Sequence, residues 1–374
     1  MKILQVTAAL EQGGVERGTV EMAAFIVSQG AESFVASQGG RLVVELERQG
    51  SYHFKLPLAR RNPFTVLSSA LRLKKIILCE GITLVHARSR APAWAAYIAC
   101  RLTGVPFVTT FHGTHRIQNR IKKFYNSIMT RGQRIIAISQ FIKTHILSNY
   151  GIDEKLIDVA PRGFDPDRID PNKVTAEQLG QLKKQWGLLD DTPVIALPGR
   201  LTRWKGQTLF LAALALIKEL NWQALIIGGA GHKQNYLDEL KDLTCASGLS
   251  SRVIFVGDQS DIVPFYALAD VVVSASIEPE AFGRVAVEAQ AMGKPIIASA
   301  HGGALETVRD GETGWLFINN DAADLAAKLR LALAKETDLV RIGSAARNFV
   351  KNEYTVEKMC TAEWNCYQRV LADV

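Results

Sequence analysis

Three carboxylates, Glu278, Glu280 and Glu288, surround a Phe282-Gly283 step in the stretch EPEAFGRVAVEAQAMG, directly after the apolar, β-branched run DVVVSAS. Carboxylates are costly to desolvate, so a cluster at the end of a buried strand needs either water or a ligand. With a helix beginning near Gly283, Glu280 falls in the loop before it and Glu288 in its second turn. The amides of Phe282, Gly283 and Arg284 then form the helix N-terminus. Free N–H donors suit phosphate oxygens, and carboxylates suit hydroxyl groups. A sugar nucleotide offers both: Glu288 would accept from ribose hydroxyls and Glu280 from hydroxyls of the sugar. The helix dipole alone accounts for an acid such as Glu288. It leaves Glu280, Phe282 and Gly283 unexplained together.

A second group precedes it in the chain. In PGRLTRWKG, Arg200 and Lys205 follow the apolar run 194–198 at a strand-to-helix turn. A forked guanidinium beside a point-charge ammonium suits a diphosphate, and Gly199 and Gly206 permit close backbone approach. Two solvated loop charges are the plain alternative. The run IIGGAG, containing Gly229, ends another strand. It lacks the spacing of a dinucleotide fingerprint, and its value lies in sharing an edge with Arg200 and Lys205. Near the N-terminus, EQGGVER sets Gly13 and Gly14 at a helix start, where amides could reach a phosphate. There too the dinucleotide spacing and its downstream acid are missing, which disfavours a dehydrogenase. TTFHGTH places His112 before a glycine as a general base or hydrogen-bonding group. His112 and His115 lack a third ligand nearby, so no metal is expected. Arg88 and Arg90, after the run 84–86, are candidate acceptor contacts or ordinary surface arginines.

Alternating strands and helices must position these residues. Strand signals fall at residues 2–7, 32–36, 84–86, 107–111 and 134–138. A second series follows at 194–198, 224–227, 253–256, 271–274 and 295–298. Helical stretches separate them at 15–29, 65–79, 94–102, 208–219, 234–247, 262–268, 284–292 and 321–334. The break at 161–191 carries Pro161, Gly163, Pro166 and Pro171, then a polar helix at 175–186. A chain of 374 residues suits two domains. The pattern predicts an α/β fold of two doubly wound, Rossmann-like domains facing across a cleft, with ligands beyond the carboxyl ends of the strands. The boundaries expected are 1–168 and 169–353, followed by a last amphipathic helix in 354–374.

Composition narrows the setting. The five cysteines form no CxxC pair, which fits reduced core thiols. Because Glu11 and Gly13-Gly14 interrupt the first apolar run, it reads as a strand instead of a leader. No stretch has the roughly 18 apolar residues of a membrane span, so a cytoplasmic location is expected. Of the net charge of +7, residues 1–168 hold +11 and the remainder −4. A basic half suggests an anionic partner.

The Glu280-x7-Glu288 spacing with its Phe282-Gly283, together with Gly199-Arg200 and Lys205-Gly206, resembles the retaining glycosyltransferases of the GT-B fold, group 1, family 4. The likeness continues in Gly13-Gly14-Val15-Glu16, His112-Gly113, the stretch AHGGALE at 300–306 and DGETGWLF at 310–317. Each piece is weak alone, and the ordered set is strong. The resemblance implies a metal-independent, hexosyltransferase-type enzyme that needs no cofactor. It would move a sugar from a donor of UDP or GDP type with retention of anomeric configuration. Arg200 and Lys205 would hold the diphosphate, and Glu280 with the amides of Phe282, Gly283 and Arg284 the sugar and phosphate. Glu288 would hold the ribose, with Gly229 on the same donor edge. Gly14 would admit the donor phosphate, and His112 would contact the sugar near the reacting carbon. Residues 354–374 would cross back onto the N-terminal, acceptor-side domain. The favoured chemistry is front-face substitution, in which the leaving phosphate helps deprotonate the acceptor. Glu280 as a covalent nucleophile is the rival.

A glycan or glycolipid acceptor of lipopolysaccharide or cell-envelope synthesis is expected, at the cytoplasmic face of an inner membrane. The basic residues Arg60, Arg61, Arg72, Lys74, Lys75, Arg116, Arg120, Lys122 and Lys123 suit peripheral contact with anionic lipid. The segment 65–78 is amphipathic enough for either a membrane or a core. Three other classes remain open: a sugar-nucleotide epimerase of similar fold, a pyridoxal-phosphate phosphorylase, and a non-catalytic nucleic-acid-binding protein. The last lacks any recognition module, so no nucleic-acid partner is expected.

Overall fold

The computed structural model describes residues 1–373 except Gln12, Arg116, His232 and Lys233. The chain divides into two compact units, Met1–Arg162 with Val356–Val374, and Gly163–Thr355.

The first unit carries β1 (Lys2–Val6), β2 (Glu32–Ser37), β3 (Tyr52–Lys55), β4 (Leu84–Ala87), β5 (Phe107–Phe111), β6 (Arg134–Ala137) and β7 (Ile157–Val159). They pair in the order β3-β2-β1-β4-β5-β6-β7, and every pairing is parallel. Strands such as β5, FVTTF, are buried along their whole length, as expected for a parallel sheet covered on both faces. One of the covering helices is the C-terminal helix Val356–Ala372. Its Met359, Cys360, Cys366, Tyr367 and Val370 pack with Ile3, Met22, Leu84, Val108 and Ile136.

The second unit repeats the plan with β8 (Val194–Pro198), β9 (Gln223–Ile227), β10 (Val253–Gly257), β11 (Val271–Ser274), β12 (Ile296–Ser299) and β13 (Gly314–Phe317). The order is β10-β9-β8-β11-β12-β13, again parallel. In both sheets the chain winds outward first one way and then the other from the first strand. The switch point lies between β1 and β4 in one unit and between β8 and β11 in the other, where such sheets bind ligands.

The join differs slightly from the sequence expectation of 168/169. Residues 163–170 go with the second unit because Phe164 N donates to Tyr354 O at 2.8 Å and Asp170 pairs with Arg347 at 2.9 Å. The cysteines also differ in part. All five are free, but Cys79 and Cys245 are exposed, and only Cys100, Cys360 and Cys366 are core thiols. No helix among the described residues is long and apolar enough to cross a membrane.

Candidate active site

The second unit gathers its candidate residues on the loops after β8, β9, β11 and β12. After β8, Gly199 (φ 150°) turns the chain, and a short 3-10 turn, Arg203–Lys205, ends at Gly206 with φ 72°. A Cβ on Gly206 would lie 1.8 Å from the carbonyl oxygen of Ala275, so only glycine lets this loop lie against the end of β11. Ile277 N donates to Trp204 O at 2.8 Å and fastens the two loops together. Gly228 and Gly229 come in from β9. Leu201 N donates to Gly229 O at 3.1 Å, and a Cβ on Gly228 would meet Gly199 O at 2.1 Å.

This packing brings Lys205 to Glu280. Lys205 Nζ donates to Glu280 Oε1 at 2.7 Å, and each side chain is only 14% exposed. Ser276 Oγ donates to the same oxygen. Burial alone would push the Glu280 carboxyl up, but Lys205 and the hydroxyl of Ser276 outweigh it, and the group stays ionised below the usual carboxylate range. Behind it, His301 Nε2 lies 2.7 Å from Ser276 O. A carbonyl only accepts, so Nε2 carries the proton. Gly303 N donates to Glu280 O at 2.8 Å, and a Cβ on Gly302 would meet that oxygen at 2.6 Å. The His-Gly-Gly of the 300–306 stretch thus forms the floor under Glu280.

Glu288 lies where expected, in the second turn of the helix Arg284–Ala291, whose N-cap Gly283 provides no side-chain cap. Its Oε2 accepts from the Tyr266 hydroxyl at 3.1 Å and its Oε1 from Arg284 Nη2 at 2.5 Å. Burial, reinforced by Glu288, pushes the Tyr266 phenol well up and keeps it a donor. Phe282 is turned inward against the Tyr354 ring, centroids 5.4 Å apart, so only its backbone is available to a ligand. Arg200 is exposed and has no ion-pair partner among the described residues. Ser276, Tyr266 and His301 were not singled out from the sequence. Ser276 and His301 each fall within two residues of a strand end in the same sheet, and that placement was the available signal.

In the first unit, Gly14 opens the helix Gly14–Ser28, and its carbonyl accepts from Arg162. His112 follows β5. Burial first, then Arg162 and Arg88, hold its imidazole neutral, and its buried Nε2 has no hydrogen-bond partner among the described residues. His115, half-buried, is pushed down to about 3, chiefly by burial, and its Nδ1 likewise has no partner among the described residues. Among the described residues no group of three or more potential metal ligands occurs. Arg90 is half-buried and donates to Asn126 Oδ1 at 2.8 Å, with no carboxylate partner among the described residues. Arg88 corrects the sequence expectation. It is buried, donates through Nε to Gln5 Oε1 at 2.6 Å, and grips Glu363 of the C-terminal helix with both Nη atoms. Its donors are consumed inside the fold, so it is not an acceptor contact. Of the basic residues named above, Arg116 lies outside the described residues.

Two family models match the chain: Glycosyltransferase Family 4 over residues 12–168 and Glycosyl transferases group 1 over 180–349. A crystallised glycosyltransferase from Rickettsia africae is 39% identical with a TM-score of 0.93, covering 100% of this chain and 99% of that one. The chain belongs to the group 1, family 4 glycosyltransferases. Its fold is GT-B, as the sequence resemblance implied. The Anabaena protein HepE, solved with UDP and glucose, matches this glycosyltransferase at 25% identity and a TM-score of 0.85, over 98% of this chain and 99% of that one. A D-inositol 3-phosphate glycosyltransferase of Nocardia farcinica is 34% identical over 303 residues, 76% of this chain and 65% of the relative. The chain therefore spans slightly less than two thirds of that curated relative's length.

Proposed function

We propose that this glycosyltransferase moves a sugar from a nucleoside diphosphate of UDP or GDP type to a glycan or glycolipid acceptor of cell-envelope synthesis, lipopolysaccharide intermediates included. Transfer retains the anomeric configuration and needs no metal. The observation that carries the reading is the pair of carboxylates bracketing the uncapped helix start at Gly283, with Lys205 held 2.7 Å from Glu280. Two carboxylates and adjacent cations match a ligand that is hydroxyl-rich and doubly phosphorylated. Arg200 and Lys205 take the diphosphate and balance the charge that develops as it departs, which is where electrostatic stabilisation matters most. Glu288 accepts from the ribose and Glu280 from the transferred sugar. The leaving phosphate removes the acceptor proton on the same face, so Glu280 forms no covalent bond. In the first unit, Arg90 and the neutral His112 are the acceptor-side groups.

The test is transfer of labelled sugar from a panel of UDP- and GDP-sugars to envelope glycolipid extracts in the presence of EDTA, with NMR of the isolated product. A retained anomer formed in EDTA is expected. An inverted product, or activity that EDTA abolishes, overturns the mechanism. Conversion of the donor to its epimer without acceptor would move the protein to the epimerase class.

A further inference from the structure

Both donors that reach the Glu280 carboxylate, Lys205 Nζ and Ser276 Oγ, bind the same oxygen, Oε1. Oε2 makes no hydrogen bond among the described residues and is not sealed from solvent, so it is the atom left for a ligand. The turn after β12 sets a second free acceptor beside it. Ala300 N donates to Phe317 O on β13 at 2.8 Å, and His301 N then donates back to Ser299 O at 2.7 Å. Gly302 follows in the left-handed region at φ 59°. This tight turn throws the His301 side chain across to the end of the neighbouring strand β11, where Nε2 donates to Ser276 O at 2.7 Å. One nitrogen is thereby fixed and protonated. In the neutral ring the other, Nδ1, is an acceptor. Nδ1 has no hydrogen-bond partner among the described residues, and it too is open to solvent.

His301, Glu280 and Ser276 line one recess together with Ala286, Ala298 and Ala304. The recess has space for about one water molecule. A hydroxyl fits there, and a sugar ring does not, so a sugar lies across the mouth with one hydroxyl directed inward. We propose that His301 selects the donor sugar: Nδ1 and Glu280 Oε2 accept from two neighbouring hydroxyls on one edge of its ring. Two acceptors side by side require two donors, which a vicinal diol supplies and an ether or ester does not. A site built to hydrogen-bond a hydroxyl discriminates against the analogue that lacks it, because the buried polar groups are left unpaired. The recess therefore admits a sugar whose hydroxyl on that edge is free and rejects one in which it is acylated or alkylated. The inference rests on the proposed binding of the transferred sugar at Glu280.

The experiment is isothermal titration of the full chain with UDP-glucose, UDP-galactose, UDP-N-acetylglucosamine and GDP-mannose, and with UDP and GDP alone. His301→Gln keeps an amide that donates to Ser276 O and removes the acceptor at Nδ1. Its melting temperature and its affinity for the diphosphate should match wild type. The sugar nucleotide should bind roughly two- to twelvefold more weakly, the loss of one neutral hydrogen bond. His301→Asn does the reverse: its Oδ1 stands near the place of Nδ1, but the side chain is too short for Ser276 O. It should melt lower, yet hold the sugar nucleotide, relative to the diphosphate, better than His301→Gln does. The deoxy analogue that lacks the recognised hydroxyl should bind wild type and His301→Gln alike, and an O-methyl group at the same position should abolish binding to wild type. Sugar-nucleotide affinity unchanged in His301→Gln and lowered in His301→Asn would make His301 a tie between loops and overturn the proposal. So would a loss of diphosphate affinity in His301→Gln as large as the loss of sugar-nucleotide affinity. Wild type that binds neither diphosphate nor any sugar nucleotide would remove the proposed function itself, and this inference with it.

Discussion

Replacing Glu280 with Gln should move donor binding and catalysis in different directions. The substitution keeps shape and leaves an amide oxygen able to accept from Lys205 and Ser276, but removes the negative charge 2.7 Å from the ammonium. A hydrogen bond to a charged group contributes about 1.5–3 kcal/mol and a neutral one about 0.5–1.5. Breaking a fully buried ion pair costs about 3–5 kcal/mol, and this pair retains slight exposure. The expected loss of stability is therefore about 2 kcal/mol, or roughly 4–8 °C in the melting of a unit this size. Lys205, no longer neutralised by its neighbour, should hold a free nucleoside diphosphate as well as before or better. The sugar loses a charged acceptor for its hydroxyls, and kcat/KM should fall by roughly 10- to 150-fold, the same 1.5–3 kcal/mol read in the transition state. Isothermal titration with the diphosphate and initial rates with the intact donor measure the two quantities. Lys205→Met is the control, with weaker diphosphate binding. If Glu280→Gln weakens the diphosphate as much as Lys205→Met does, Glu280 acts only by positioning Lys205, and its assignment to the sugar is wrong.

Further consequences can be measured on the same protein. Glu363→Gln leaves the buried Arg88 guanidinium half-paired and should cost about 3 kcal/mol in a denaturant melt; an unchanged midpoint would mean the pair does not anchor the C-terminal helix. Gly206→Ala forces a left-handed φ, at about 1–2 kcal/mol. It also drives a Cβ against the Ala275 carbonyl, so donor binding should be lost with the loop geometry, and retained affinity would contradict the packing. His86, buried between Tyr367 and Thr110, has its pKa lowered well below 6.5, first by burial and then by Arg88. The unfolded chain takes up a proton that the folded imidazole refuses, so stability falls as pH drops below 6.5, by about 1.4 kcal/mol per unit. The pH slope of the melting temperature should flatten in His86→Asn, and an unchanged slope would clear His86 of the effect.

Much of the frame was legible because parallel strands buried on both faces leave short apolar runs between punctuating glycines. The bounds of β5, β8 and β11 match the sequence expectation residue for residue. Three strands escaped, all at sheet edges. β3 is half-exposed and mixed in polarity, β7 has three residues, and β13 begins at Gly314. That glycine weakens the strand signal, yet it is required because a Cβ would meet Ile296 O at 2.1 Å. The helix Leu339–Glu353 also escaped: between Ile342 and Val350 its packed face holds only the small residues Gly343 and Ala346, which thins the apolar signal. In the site, Glu280 and Glu288 stood out because a strand, a glycine and a helix start fix their places locally. The Lys205–Glu280 contact joins residues 75 apart, and no local pattern announces it. Arg88 was misplaced for the same reason, since the acid that claims it lies 275 residues away. The segment 65–78 carried two readings because both faces of that helix hold apolar residues, and only the fold separates the packed face from the exposed one.

The central claim is that the carboxylate-bracketed helix start holds a sugar nucleotide. Thermal unfolding of wild type and Glu288→Ala against UDP, GDP, ADP and NAD tests it most directly. One nucleoside diphosphate at a hundred times its dissociation constant should stabilise the wild type by about 2.7 kcal/mol, an upward shift of roughly 5–10 °C. The shift should collapse in Glu288→Ala, because the ribose loses its acceptor. A shift of equal size in the variant, or none with any nucleotide, would contradict the account.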